Sequence, residues 1–355
     1  MARRSRGTDS NPQSRFERLR YDHSLASEPT PALDPEDAVA PDPRTVLLRD
    51  PSRSIVARND SPDVGFEASI NPYRGCSHGC AYCYARPTHE YLGWSAGLDF
   101  ETKILVKEDA PALLRKALSS PRWKPTPLAL SGVTDAYQPA ERKLGLTRRC
   151  LEVLVEFRNP VLVITKSWTV TRDADLLAEL ARHGAASVAL SITSLDAELQ
   201  RTLEPRAAPP KLRLAAIERL AEAGVPVGVM VAPIVPGLTD HEIPKILEAA
   251  AAAGAGYAGR VMLRLPHGVK ELFGEWLERH FPERKEKVLN RLRSLHGGAL
   301  YDSGFGHRQR GSGPFAEQIA ALFDASRRRA GLAARGPELS TSAFRRPGFQ
   351  PGLFD

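Results

Sequence analysis

No stretch of this 355-residue chain stays apolar for long. A membrane-crossing helix needs about 20 consecutive apolar residues, and the Ala-rich run "ILEAAAAAGAGYAG" is too weakly hydrophobic to serve as one. The opening stretch, "MARRSRGTDSNPQSRF", has basic side chains but no apolar segment behind them, so it does not read as a secretory signal. The expected location is the cytoplasm, with no membrane contact. Cysteine is scarce as well. The four present are too few for a disulfide framework, and in a reducing compartment clustered thiols point to metal or redox chemistry. A large charge excess is missing too: 49 Lys and Arg face 42 Asp and Glu, for a net +7. The arginines gather in "MARRSR", "RRRAGLAAR" and "AFRRPG", which permits a polyanionic partner and by itself decides nothing.

What is present is the balance of a globular protein with a real core, 42% hydrophobic and 26% charged. Residues 1–45 are rich in Pro, Asp, Arg and Ser without a sustained apolar period, and are expected to be mostly disordered. From about residue 46, short β-branched runs alternate with helical segments. "LALSGV" precedes "LTRRCLEVLVEF", "VLVITKS" precedes "DADLLAELARHG", and "SVALSIT" precedes "KLRLAAIERLAEAG". "VPVGVMVAPIV" precedes "EIPKILEAAAAAG", and "RVMLRLP" closes the series. Near-continuous apolar strands followed by amphipathic helices mark parallel βαβ units buried on both faces. Gly184, Gly224 and Gly254 fall just behind helices, where a left-handed cap residue is wanted.

Counting the strand that leads into the cysteines, about six βα units result. They could build an open doubly wound sheet or an incomplete barrel. Polar residues collect at the C-terminal ends of strand after strand, in "SGVTD", "ITKS", "LSITS" and "APIVPGLTD", and barrel enzymes gather functional groups on that one rim. The expected fold is therefore α/β: a partial (β/α)6 TIM-like barrel over 46–268. A C-terminal helical extension over 269–335 and a flexible tail over 336–355 should follow. Within the extension, the glycine-rich loop "GFGHRQRGSGP" sets His307, Arg308 and Arg310 where they suit phosphate oxygens or a solvated surface equally.

The stretch "NPYRGCSHGCAYCYARP" places Cys76, Cys80 and Cys83 within eight positions. A structural zinc site would take four ligands, usually as two separated pairs; no second pair exists, although His78 or His89 could complete a tetrahedron. Cys150 shares a helical face with Leu146, Val153, Leu154 and Phe157 and reads as a buried small hydrophobe. A [4Fe–4S] cluster normally takes four thiolates. Three leave one iron open, and an open coordination position is what separates catalytic metal sites from purely structural ones.

"CSHGCAYC", with an aromatic before its third cysteine, resembles the radical S-adenosylmethionine (SAM) superfamily. The wider stretch from "NDSPDVGFEASINPYRGC" to "GLDFETKILVK" is similar to its spore photoproduct lyase-like branch, also called DNA repair photolyase-like. The resemblance spans about residues 50–325. It implies a [4Fe–4S] cluster on Cys76, Cys80 and Cys83 whose open iron binds SAM, and reductive cleavage of SAM to a 5′-deoxyadenosyl radical that abstracts hydrogen. Damaged DNA is the implied substrate; the alternatives are RNA, protein or a small molecule, or a non-catalytic iron–sulfur or zinc protein that binds nucleic acid. An electron donor such as flavodoxin or ferredoxin is implied as partner. The radical chemistry would belong to the cofactor, with the protein supplying position, potential and exclusion of water.

The same resemblance assigns cofactor-binding roles by position. Tyr82 would approach the adenine. Ser131 and Thr134, in "LSGVTD", occupy the region that contacts the SAM amine in relatives, although the Glu of the usual Gly-Gly-Glu-like stretch is absent. Lys166 would meet the SAM carboxylate, since an ammonium at the tip of an apolar strand needs an anion. Ser191 matches a ribose-contacting serine, and Arg206 offers a planar fork for a carboxylate. The photoproduct lyases carry an extra cysteine at the end of their second strand, which returns hydrogen to the product; "LSGVTD" holds no thiol. No catalytic side chain is assigned. Finally, Gln350, Leu353 and Phe354 have the Q-x-x-L-F spacing of peptides that bind the bacterial sliding clamp.

Overall fold

The computed structural model describes residues 6–12, 14–16 and 44–347. The chain begins with β1 (Val46–Arg49), β2 (Val56–Arg58), β3 (Ala68–Ile70) and β4 (Tyr73–Arg74). After the cysteine loop come a 3-10 turn (Arg86–Leu92), α1 (Leu98–Thr102), β5 (Lys103–Val106) and α2 (Ala110–Ser119). Then follow β6 (Leu128–Leu130), α3 (Glu141–Leu144), α4 (Leu146–Phe157), β7 (Val161–Thr165), α5 (Ala174–Ala181) and β8 (Ala186–Ser191). Next are α6 (Ala197–Leu203), α7 (Pro210–Glu222), β9 (Val227–Ile234), α8 (Ile243–Ala252) and β10 (Tyr257–Met262). Three helices end the chain: α9 (Val269–His280), α10 (Pro282–Leu295) and α11 (Pro314–Arg329).

Six strands, β3, β6, β7, β8, β9 and β10, run parallel in that order, and β2 adds an antiparallel edge beside β3. This is the expected partial barrel, with β2 and β10 as its edge strands. Its strands are largely apolar because helices cover the outside: every residue of β8, "ASVALS", is buried. Close packing decides single residues. A Cβ at Gly228 in β9 would stand 2.4 Å from the ring of Tyr257, so only glycine lets that tyrosine reach Ser187 at 2.8 Å. Gly184, Gly224 and Gly254 take the left-handed φ values expected behind their helices. A small three-stranded sheet, β1–β5–β4, stands beside the barrel and delivers β4 straight into the cysteines. No helix among the described residues is long and apolar enough to cross a membrane.

Within the described residues 6–12 and 14–16 of the N-terminal segment, Arg6, Thr8 and Ser14 are buried, whereas Asn11, Arg15 and Phe16 are exposed. Residues 336–347 lie along the barrel. Ser340 N–H donates to Gly184 O, Arg345 N–H to Phe157 O, and the Arg346 guanidinium to Ser120 and Trp123 carbonyls. Ahead of them Ala333 exchanges backbone hydrogen bonds with Gly256 and Ala258, covering part of the β10 edge. Long-range hydrogen bonds hold both segments, joined in the second by Phe344 packing on Phe157, and neither kind of contact shows as a hydrophobic period. The extension packs where the rim is: Phe273 and Trp276 of α9 share a buried cluster with Tyr82, Leu203, Val235 and Leu263.

Candidate active site at the cysteine loop

Two glycines shape the loop. Gly75 and Gly79 have φ of +80° and +69°, and a Cβ there would meet the His89 ring at 2.8 Å or the Glu101 carboxylate at 2.6 Å. Between and beyond them Cys76, Cys80 and Cys83 are free thiols, the first two buried and the third half-buried. The loop backbone is clamped from several strand ends. Gly75 O accepts from Thr134 Oγ1 (2.7 Å) and Gln138 Nε2 (3.1 Å), while Gln138 Oε1 accepts from Ser77 N–H (2.9 Å). Cys76 N–H donates to Phe100 O, Ala81 N–H to Leu203 O and Arg206 N–H to His78 O.

Arg86 is the loop's central anchor. Fully buried, it donates from Nε and an Nη to Cys80 O (3.0 and 2.7 Å), and from the other Nη to Ala96 O and Gly97 O. The same guanidinium pairs with the equally buried Glu101 at 2.5 Å. Glu101 in turn accepts from Gly7 N–H (3.1 Å) and Thr8 Oγ1 (3.2 Å), so the N-terminal segment is strapped across the cysteine loop. Gly7 fits there because any Cβ would lie 1.6 Å from Gly79 O. Farther along the strap Arg15 pairs with Glu90 at 2.5 Å and Asp9 with Arg279 of α9 at 2.6 Å.

A second polar network stands behind Tyr82. Its hydroxyl donates to Glu204 and lies 3.2 Å from Thr193 Oγ1. Glu204 also accepts from Thr193 (2.7 Å) and pairs with Arg213, whose other nitrogens donate to the carbonyls of Ser191 and Ala208. Burial would raise the Glu204 carboxyl, yet Arg213, Lys166 and the Tyr82 hydroxyl bring it below the ordinary range. Lys166, at the end of β7, places its ammonium 5.9 Å from the Tyr82 ring centre. Among the described residues that ammonium makes no ion pair. Burial pushes the Cys80 and Cys83 thiols up, and Lys166 is among the groups opposing the rise in each.

The histidines raised by the sequence are committed elsewhere. His78 Nδ1 lies 3.4 Å from Asp135, and His89 Nε2 lies 2.9 Å from Lys103 O with its ring against Phe100. Burial opposes protonation of His78, but Asp135 and Cys76 outweigh it and hold the ring up at about 9. Asp135 would be raised by burial; His78 and the amides of Lys166 and Tyr137 bring it down to about 2. Among the described residues no three His, Cys, Asp or Glu side chains stand where they could hold one metal ion. Zn–S bonds of about 2.3 Å would draw a zinc's sulfurs to roughly 3.8 Å apart. A cuboid cluster, taking one thiolate at each of three iron corners, needs a wider triangle. Three buried or half-buried free thiols on one loop are a donor set that three corners of such a cluster could take.

The remaining sequence candidates are brought to the same rim with different tasks. Thr134 is spent on Gly75 O. Ser131, at φ +95°, accepts the Ala136 amide (3.0 Å) and so shapes its turn. Ser191 is buried at the end of β8, and Arg206 is half-buried beside the cysteine loop. Gln350, Leu353 and Phe354 lie outside the described residues. Cys150 is fully buried on α4, its thiol pushed up to about 12 by burial. Sequence reasoning missed Arg86, Gln138, Glu204 and Arg213. The available signal was position: Arg86 three residues past Cys83, and Glu204 two residues before Arg206.

A model described as the radical SAM superfamily matches residues 70–250. An uncharacterised protein of Mycobacterium tuberculosis is 40% identical over 233 residues, 65% of this chain and 67% of its own length. Spore photoproduct lyase complexed with the dinucleoside spore photoproduct superposes with a TM-score of 0.59 at 18% identity, covering 81% of this chain and 80% of that chain. A mutant of the same enzyme with bound AdoMet and the dinucleoside superposes with a TM-score of 0.57 over the same shares, also at 18% identity. At such identities the likeness is one of fold.

Proposed function

Because the chain belongs to the radical SAM superfamily and is an enzyme of that type, we propose that Cys76, Cys80 and Cys83 hold a [4Fe–4S] cluster that splits SAM to attack a nucleic acid, with damaged DNA as the leading substrate. When bound, the cluster and SAM supply the electron transfer that breaks a C–S bond and gives a 5′-deoxyadenosyl radical for hydrogen abstraction. The protein's own residues do the positioning. One observation carries the reading: three unpaired thiols share a loop on the barrel rim, and near them Lys166 holds an ammonium that feels the Glu204 carboxylate but makes no direct ion pair among the described residues. A half-buried cation without a direct counter-ion is costly. The SAM carboxylate would supply that anion.

Around it Tyr82, fixed by Glu204, presents its ring toward the adenine, and Ser191 faces the ribose. Arg206 provides a second contact to the carboxylate. Ser131 and Thr134 act on the amine through the shape of their loop, because their hydroxyls are already engaged. Arg86 and Glu101 keep the loop backbone from shifting, and the buried cluster around Tyr82, Phe273 and Trp276 excludes water. A low-potential donor of the flavodoxin or ferredoxin kind would provide the electron. The clamp-like Gln350, Leu353 and Phe354 would bring the enzyme to DNA. The barrel unit is taken as 46–268 and the extension as 269–335.

Repair of the spore lesion through a thiol hydrogen donor is not part of this reading. The loop after β6 has no cysteine, and Cys150 is sealed in the core. The test is anaerobic purification and reconstitution. A charge-transfer band near ~400 nm, and 5′-deoxyadenosine released from SAM after reduction, are expected. Protein that holds one zinc and no sulfide, and releases no nucleoside, would refute the reading. Deuterium passing from a candidate DNA or RNA into 5′-deoxyadenosine would identify what is attacked.

A further inference from the structure

An incomplete barrel has an open side, and here that side is closed by a small polar latch. The edge strands are β2 and β10. From the β2 side comes the connection to β3, residues 59–67, tightened by Asn59 N–H donating to Glu67 O. From the β10 side comes the glycine-rich loop, attached by Met262 N–H donating to Gln309 O. The two meet at Asp63, which accepts from Gly306 N–H (2.6 Å) and from the Arg308 guanidinium; Arg308 also reaches Ser61. The Gly306 amide, Arg308 and Arg264 together hold the Asp63 carboxyl below its usual range.

Both arginines also lie on aromatic faces. Arg308 sits 4.6 Å from the centre of the Phe305 ring, and Arg264 4.3 Å from that of Tyr84, the residue directly after Cys83. Phe305 is 58% and Tyr84 46% exposed, uncommon for such rings in a folded chain. Between the two stacked pairs stands one carboxylate, and His307 and Arg310 lie exposed beside it. Large aromatics interleaved with guanidinium groups form the kind of surface on which bases stack while phosphates are neutralised.

We propose that this strip, running from Tyr84 and Arg264 at the cysteine loop to Arg308 and Phe305 across the open side, docks single-stranded nucleic acid, with Asp63 occupying the phosphate position until a strand displaces it. The inference rests on the nucleic-acid reading above and names the surface that would serve it. Asp63 and Arg308 are two ends of one bridge, which gives the idea its sharpest test. Asp63→Asn and Arg308→Gln both break the bridge, so a purely structural latch responds to the two changes in the same direction. A docking strip responds in opposite directions: Asp63→Asn removes a competitor for phosphate, whereas Arg308→Gln removes a binding cation.

Full-length, anaerobically reconstituted protein is titrated with fluorescent 15-nucleotide DNA and RNA oligomers over a range of salt, with thermal unfolding as the check on folding. Asp63→Asn should tighten binding several-fold. Arg308→Gln should weaken it and make the plot of log K against log salt shallower by about one contact. Phe305→Ala should cost roughly ten-fold through lost stacking. If wild type binds but Asp63→Asn and Arg308→Gln shift affinity together, or neither shifts it, the strip is refuted while the nucleic-acid reading stands. If wild type binds neither oligomer even at low salt, that reading fails and the strip falls with it.

Discussion

Replacing Arg86 by methionine probes the part of the site that sequence patterning did not reveal. The side chain is fully buried, donates to the carbonyls of Cys80, Ala96 and Gly97, and neutralises the fully buried Glu101. Methionine fills much of the same space and supplies none of those donors. Removing one partner of a buried ion pair costs about 3–5 kcal/mol, and each buried carbonyl left without a donor about 1–3. The losses overlap, because the Gly7 and Thr8 hydrogen bonds remain on Glu101. A destabilisation of about 4–6 kcal/mol is expected, a large part of a domain's whole stability. Should Arg86→Met fail to fold on that scale, Glu101→Leu in the same chain keeps the experiment readable. With both charges gone, the double variant should be more stable than Arg86→Met alone. The assay is denaturant unfolding of the apo-protein, together with iron and acid-labile sulfide after reconstitution. Arg86→Met protein within about 1 kcal/mol of wild type, with a full complement of iron and sulfide, would refute the anchoring argument.

Lys166→Ala should leave iron and sulfide content unchanged yet weaken SAM binding at least ten-fold by equilibrium dialysis, since a charge-assisted hydrogen bond is worth about 1.5–3 kcal/mol; undiminished binding would move the carboxylate elsewhere. Cys150→Ser should leave the iron count as it is while costing about 1–3 kcal/mol in unfolding, because a hydroxyl replaces a fully buried thiol; a lost iron would make Cys150 a ligand. Deleting residues 349–355 should abolish capture by a bacterial sliding clamp in a pull-down, and capture that persists would discard the role of Gln350, Leu353 and Phe354.

The features legible in the sequence were those written over short distances. Apolar runs such as "SVALS" announced buried parallel strands, and Gly184 and Gly224 marked helix ends. The spacing of Cys76, Cys80 and Cys83 announced the loop chemistry. What stayed hidden depends on pairing between distant residues. Arg308 reads as a free cation until Asp63, 245 positions earlier, is found against it. Gly7 and Thr8 sit in a stretch of disorder-prone composition, and only Glu101 makes them part of the site. Glu204 looks like a solvated helix-end acid, although Tyr82, Thr193 and Arg213 enclose it completely. Charge shows in a sequence, but the identity of its counter-charge does not.

The last described stretch of the chain, from Ala333 to Arg346, touches Gly256, Gly184, Phe157 and Ser120 in turn, and so crosses from β10 back toward the wall's other side. It works like a hoop on staves. Such a hoop caps the Ala258 amide of β10, which would otherwise stand unpaired on a border open to other molecules. Shortening the protein at residue 330, harmless to every group around the cysteines, would therefore free that border and invite sheet-to-sheet association between copies.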